Sequence, residues 1–207
     1  IYAGYNRPFS SAINLLKLEL INYRDLPMTI SYFVIGHKIP LDHWYRNEGE
    51  GSRIIGNLGH WIDLTVHLLL FKGEFPNTLN VDISYSDIDN PSENISITLI
   101  TPSNDLISIV FSAREDPFEG VSEAINFQCG DLIAKIDDFR SIKIWERNKY
   151  LKKSFFYKDN GHKKAALQPF EKKSILRPWS ELIESTSLML FIEDMVKNKK
   201  NRAVYRK

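Results

Sequence analysis

Cysteine is nearly missing from this sequence: Cys129 is the only one among 207 residues. That excludes an intrachain disulfide and a cysteine zinc site. It fits a reducing compartment, so a cytoplasmic location is the expectation. Charge of one sign is not in excess either. Lys and Arg number 27 against 26 Asp and Glu, a net charge of +1, so the global balance points to no nucleic-acid or membrane-surface partner. Long apolar runs are lacking. The best candidate, residues 62–71, is interrupted by Asp63 and His67 and falls short of the ~18 residues of a membrane span. No secretion signal is visible. The sequence has no Gly-x-Gly-x-x-Gly, no phosphate loop ending in Gly-Lys-Ser/Thr, no Gly-x-Ser-x-Gly elbow and no His-Glu-x-x-His. The familiar signatures of dinucleotide cradles, phosphate loops, serine hydrolases and zinc proteases are therefore excluded.

What is present is ordinary globular material, 43% hydrophobic and 26% charged. Disorder is excluded and a single domain over residues 1–207 is expected. The chain opens on IYAGYN, which reads as a strand end rather than as a protein start. The expectation is a piece of a longer polypeptide. Ser10 or Ser11 can cap a helix running to about Ile21, and residues 28–36 read as a strand. From Ile54 the apolar positions 54, 55, 58, 61, 62, 65, 68 and 69 form one stripe of a helix of about 17 residues. Alternation then predicts strands at 81–86, 94–99, 105–112, 121–128, 131–137, 142–147 and 151–157, joined by tight turns. A last helix is expected over about 179–197, with Pro178 at its start. The fold class is α+β: a broad, mostly antiparallel open sheet with helices packed on one face. The other face carries Ser84, Ser86, Ser96, Thr98 and Ser108, and such a face can pair with a copy of itself.

Charge is uneven along the chain. Residues 74–138 hold 13 acidic and 2 basic side chains, and residues 140–173 hold 11 basic and 3 acidic. The basic stretch, with Trp145, Tyr150, Phe155, Phe156 and Tyr157 among its lysines, reads either as an anion-binding surface or as a solvated hairpin guarding strand edges. Lysines that alternate with apolar residues suit the hairpin, and no nucleic-acid partner is expected.

Chemistry-bearing residues gather around the long helix. Asn57, His60, Asp63 and His67 interrupt its stripe. A His60/Asp63/His67 metal triad is loose in spacing and lacks a fourth ligand, so no metal site is expected. His60 reads either as an acid–base group at a pocket mouth or as a histidine satisfied by Asp63 or backbone. The stretch GEGSRIIG (49–56) can present backbone N–H groups at a helix start to an anion, with Arg53 adding charge, or serve as a plain helix entry. Asn6, Arg7, His43 and Trp44 are further candidates. Trp44 beside His43 suits a sugar platform or a core anchor. Arg7 suits a carboxylate clamp or a structural ion pair.

The order GYNRPFS (4–10), PLDHW (40–44), GEGSRIIGNLGHWIDL (49–64), NGHKKA (160–165) and PWSELIESTSLMLFIEDM (178–195) resembles the C-terminal half of Gfo/Idh/MocA-type oxidoreductases. These are NAD(P)-dependent enzymes acting mostly on sugars, cyclitols and nucleotide sugars. The resemblance implies that an N-terminal Rossmann domain, absent here, holds NAD or NADP and supplies a catalytic lysine, and that residues 1–8 are its last strand. This chain alone would then bind no cofactor. It would supply the substrate pocket and a homo-oligomer interface on the sheet face. By matching position, His60 and Asp63 are the implied catalytic pair, and Asn6, Arg7, His43, Trp44, Arg53 and Asn57 the implied substrate residues. The chain departs from the pattern at Gly56, where many members carry Asp, and at Asn57, where close relatives carry Glu. Both departures remove a carboxylate from any relay through His60. A non-catalytic module that dimerises through the open sheet is the alternative.

Overall fold

The computed structural model describes residues 4–40, 42–46, 51–117, 119–170 and 177–207. The expected opening strand falls partly on residues 1–3, outside the described residues. Gly4–Asn6 have no regular structure and Arg7–Phe9 form a 3-10 turn. Ser10 caps α1 (Ser11–Leu20) by accepting a hydrogen bond from the Ile13 amide at 3.2 Å, the donor that an N-cap hydroxyl is placed to satisfy. Strand β1 (Met28–Ile35) follows. A π-helical turn, Ile54–Leu58, leads without a break into α2 (Gly59–Lys72).

The meander then runs β2 (Thr78–Tyr85), β3 (Asn94–Ile100), β4 (Leu106–Ser112), β5 (Ser122–Cys129), β6 (Leu132–Asp137), β7 (Ser141–Glu146) and β8 (Lys149–Ser154). After it come the short α3 (His162–Leu167), the long α4 (Trp179–Lys197) and the edge strand β9 (Arg202–Arg206). The strands form one nine-stranded sheet in the order β8-β7-β6-β5-β1-β4-β3-β2-β9. Every pairing is antiparallel except β1 with β4, where Tyr32 lies opposite Ile109.

Alternation puts one face of each inner strand into the core. Ile30, Tyr32 and Val34 of β1, Ile95, Ile97 and Leu99 of β3, and Ile107, Ile109 and Phe111 of β4 are all buried. The helices lie on that face, α2 packed against α4, and α1 over β6 and β7. The helix from Ile54 is less amphipathic than its stripe suggests. Asp63 and Thr65 are buried with their apolar neighbours, because the sheet covers one side and α4 another. With 19 residues and a mean hydropathy of 1.3 it has the dimensions of a membrane span, yet most of it lies inside the fold as a core helix. Among the described residues no helix packs on the opposite face of the sheet. Cross-strand rows there pair Ser84 with Ser96 and Thr98 with Ser108, and the same face exposes Phe33, Leu106 and Ile133.

Candidate functional site

The π-helical turn sets the geometry of the candidate site. Such a turn holds one residue more than an α-turn and re-aims the side chains around it. Gly56 lies in it, and a Cβ at this position would come within 2.4 Å of the Tyr45 ring and 2.5 Å of its hydroxyl. The missing side chain at 56 therefore lets the Tyr45 phenol lie against the helix, in the space where an aspartate would have to stand. Asn57, the next residue, lines an open cavity of about 440 Å³ together with His37, Lys38, His43, Trp44 and Asp116. That volume falls within the range of small-molecule sites. His43, Trp44 and Tyr45 form an aromatic wall. The His43 and Trp44 rings stack at 5.7 Å, the Trp44 and Tyr45 rings are 4.1 Å apart, and Trp44 keeps half its surface exposed. An indole face beside polar donors suits the apolar face and hydroxyls of a sugar ring.

His60 sits one turn further along the helix, beside this cavity rather than in its lining. Tyr5 meets its ring edge-on at 5.2 Å, and the Tyr5 hydroxyl donates to the Ile55 carbonyl at 3.3 Å. Burial and the nearby charges of Asp63 and Tyr45 push the Tyr5 phenol up to about 12. The His60 Nδ1 is buried without a hydrogen-bond partner among the described residues. Burial, with the charges of Arg7 and His162, pulls the imidazole down to about 3. That lies well below the ordinary histidine value of 6.5. Within this chain His60 stays neutral at physiological pH, and the aspartate three residues on does not hold it.

Asp63 is instead the anchor of a buried ion pair. Arg177 donates from Nη1 to Oδ2 at 2.8 Å and from Nη2 to Oδ1 at 2.7 Å. Arg177 Nε also donates to Glu181 at 2.7 Å. Glu181 and the His67 Nδ1 are 2.7 Å apart, and the Lys17 ammonium lies 2.9 Å from His67 Nε2. Asp63 and His67 thus face different partners, and the His60/Asp63/His67 triad does not converge.

Arg7 and Asn6 both point inward to partners within the fold. The Arg7 guanidinium lies 5.0 Å above the Trp61 ring and donates to Glu123 through Nε at 3.1 Å and Nη2 at 2.9 Å, and to Asn6 Oδ1 through Nη1 at 3.0 Å. Asn6, fully buried, donates to the Asn160 carbonyl at 2.5 Å. Both act as structural residues that hold the chain entry to β5 and to the segment before α3. Arg53 is likewise buried, above the Phe111 ring at 5.1 Å and 3.5 Å from Glu93, with a further hydrogen bond to the His37 carbonyl. Its Nε and Nη1 have no partner among the described residues, and burial pulls its guanidinium down despite Glu93. It does not line the cavity. Residues 47–50 of the glycine-rich loop lie outside the described residues.

Of the eight expected residues, the structure brings His43, Trp44 and Asn57 to one cavity with His60 beside it. It turns Asn6, Arg7, Arg53 and Asp63 inward. Sequence reading missed Tyr5, Tyr45 and Arg177. Tyr45 stands next to two residues that were singled out, whereas nothing local marks Arg177 as the partner of Asp63.

Two buried imidazoles make the stability pH-dependent. His60 and His67 both titrate below the ordinary 6.5, each chiefly through desolvation. A histidine depressed in the folded state contributes stability that is fully present above 6.5 and is lost as the pH falls toward its folded value. Denaturant unfolding between pH 7.5 and 5 should show stability falling below 6.5 by up to about 1.4 kcal/mol per pH unit per imidazole. His60→Asn should flatten that slope. A flat profile in the parent protein would rule the effect out.

An open mixed sheet with helices packed on one face is the fold class that the sequence resemblance implied. No family model matches the sequence, and no curated protein matches it. Solved structures do. The chain is similar to an aldose-aldose oxidoreductase from Caulobacter crescentus complexed with glycerol, at 14% identity and TM-score 0.66, over 99% of this chain and 63% of that one. It is similar to the dehydrogenase MviM from Clostridium difficile, at 18% identity and TM-score 0.63, over 92% of this chain and 60% of that one. It is also similar to GenD2 from gentamicin A biosynthesis in complex with NAD, at 7% identity and TM-score 0.68, over 99% of this chain and 62% of that one. At these identities the likeness is one of fold. The chain spans under two thirds of the length of these neighbours.

The described residues do not fit a dinucleotide. The one parallel strand pair, β1 and β4, is separated in sequence by α2 and two antiparallel strands. No glycine-rich turn of the Gly-x-Gly-x-x-Gly kind links a strand to a helix, which is the arrangement that seats a pyrophosphate.

Proposed function

We propose that this chain is the substrate-binding and oligomerisation half of an NAD(P)-dependent oxidoreductase acting on a sugar, cyclitol or nucleotide sugar in the cytoplasm. The dinucleotide is held by a Rossmann domain on further polypeptide. The observation that carries this reading is the convergence of Asn57, His43 and Trp44 on one cavity a single turn from His60. Asn57 and His43 offer hydrogen bonds to substrate hydroxyls, and Trp44 offers a flat apolar face. A neutral imidazole beside them can accept a hydrogen bond from the reacting hydroxyl, the first requirement for taking its proton. Asp63 serves this role at a distance by fixing the helix that bears His60.

The isolated chain should then show no saturable NADH binding by calorimetry, and tight binding would refute the division into two halves. In a longer polypeptide that includes the nucleotide-binding domain, His60→Asn should lower kcat for NAD(P)-linked sugar oxidation tenfold or more while leaving NADH affinity unchanged. Equal kcat in parent and variant would remove His60 from the mechanism.

The second reading, a non-catalytic module that pairs through its open sheet, draws support from Phe33, Leu106 and Ile133 exposed on that face. The two readings share the expectation of a homo-oligomer. Sedimentation at micromolar concentration tests it, and a strict monomer counts against both interfaces.

A further inference from the structure

Three helices meet at one imidazole. His67 of α2 lies 2.9 Å through Nε2 from the Lys17 ammonium of α1, and 2.7 Å through Nδ1 from Glu181 Oε1 of α4. The site is closed: the His67 side chain is 13% exposed and that of Glu181 6%. Arg177, from the segment before α4, also acts on the ring, and its Nε donates to the same Glu181 oxygen at 2.7 Å. Asp63, one turn back on α2, is taken up by the two terminal nitrogens of Arg177. Arg24, in the turn after α1, shares the Phe71 ring with Lys17, at 4.4 and 4.9 Å.

Donors and acceptors fix the state of the ring. An ammonium has N–H groups and no lone pair, so the Nε2 facing it is bare and accepts. Nδ1 then carries the one ring proton and donates it to Glu181. Lysine is the stronger base by about four pH units, so at neutral pH the charge of the pair rests on Lys17. A second proton does not fit this arrangement. It would sit on Nε2 and point at an ammonium 2.9 Å away, two donors face to face with like charges in contact. On the other side of the ring the same proton strengthens the bond to Glu181, which becomes charge-assisted from both partners. Lys17 is the end that gives way, because its flexible stem is half-buried while Glu181 is pinned by Arg177.

We propose that His67 is an acid-operated latch between the three helices: its protonation turns Lys17 out to solvent, loosens the second half of α1 from α2, and ties α2 more firmly to α4 through Glu181. The two arrangements are a two-state element biased by one proton. Desolvation, and then the charges of Lys17 and Arg177, hold the imidazole below its ordinary 6.5 against the pull of Glu181. The Lys17 tie is therefore complete above 6.5 and is lost as the pH falls toward the lowered folded value. Helix α1 buries Ala12, Ile13, Leu16 and Leu20 and packs over β6 and β7, so acid loosens the cover at that end of the sheet before the sheet itself opens.

NMR on this chain tests the latch. At pH 7.5 the His67 ring should show a protonated Nδ1 and a bare Nε2, and the other tautomer would overturn the proposal. Amide hydrogen exchange, corrected for its intrinsic pH dependence, is then compared at pH 7.5 and 5. Protection of Lys17–Leu20 should fall tenfold or more, while the α4 amides of Glu184–Leu188 keep theirs. His67→Gln supplies an amide that donates to Glu181 and accepts from Lys17 without titrating, so its α1 should stay protected at both pH values. Lys17→Met removes the opposing charge, and the His67 titration, followed by its ring proton shifts, should move up by about half a pH unit or more. Equal protection of α1 at the two pH values in the parent would sink the latch. So would the same loss in His67→Gln, which would place its cause at His60 or a carboxylate. Should His67→Gln fail to fold, Lys17→Met decides alone: an unmoved His67 titration there overturns the proposal.

Discussion

Asp63→Ala is expected to lower the free energy of unfolding by about 3–5 kcal/mol, the range for removing one partner of a buried ion pair. The carboxylate is completely buried and receives two short N–H donors from Arg177. Burial pushes the Asp63 carboxyl above its usual range, against the pull of the guanidinium. Alanine would leave Arg177 with one buried acceptor, Glu181, and that carboxylate already serves His67. The loss should therefore spread along the line from Arg177 to Lys17 and loosen α4 from α2 and α1. Chemical denaturation measures it. Asp63→Leu combined with Arg177→Met should recover most of the stability, since an apolar replacement of both partners restores packing without an orphan charge. A single-variant loss under about 1 kcal/mol would show that the pair is not a structural anchor.

Glu123→Ala should be nearly as costly, again about 3–5 kcal/mol. Glu123 lies on β5 with its carboxylate buried. It accepts from Arg7 at 3.1 and 2.9 Å and from the Trp61 indole at 2.8 Å. Its removal strands a buried cation and an indole N–H together. The variant also tests the link to the candidate site, because Arg7 is one of the charges holding the His60 imidazole down. Arg7→Met combined with Glu123→Leu should recover stability while raising the His60 pKa, read from its ring proton shifts by NMR. An unchanged His60 titration would mean that Arg7 does not contribute and that desolvation and His162 set it.

These two carboxylates also mark where sequence reading stopped. Asp63 falls on the same helix face as His60 by spacing, and that proximity made a hydrogen bond between them a natural expectation. Its partner lies 114 residues away, in a segment with no periodicity of its own. Arg7 looked like a clamp for an anionic ligand, and its anion turned out to be Glu123, 116 residues on. Spacing along one element carries no information about which element will be laid against it. Gly56 is the converse case. The absent side chain was visible in the sequence, whereas the Tyr45 ring filling its place was not, because Tyr45 arrives from a separate 3-10 turn, Trp44–Arg46.

Strand β9 was missed for a related reason. Arg202–Arg206 is five residues with charged ends, too short for alternation to register, and it becomes a strand only by pairing with β2.

The sequence by itself determined the α+β class, the seven inner strands and the extents of α2 and α4. Those follow from periodicity and local capping, which act over a few residues. Only the tertiary structure decided which polar side chains face a cavity and which neutralise one another in the core. A buried charge must find its counter-charge wherever the packed layers bring one, however distant that partner lies along the chain.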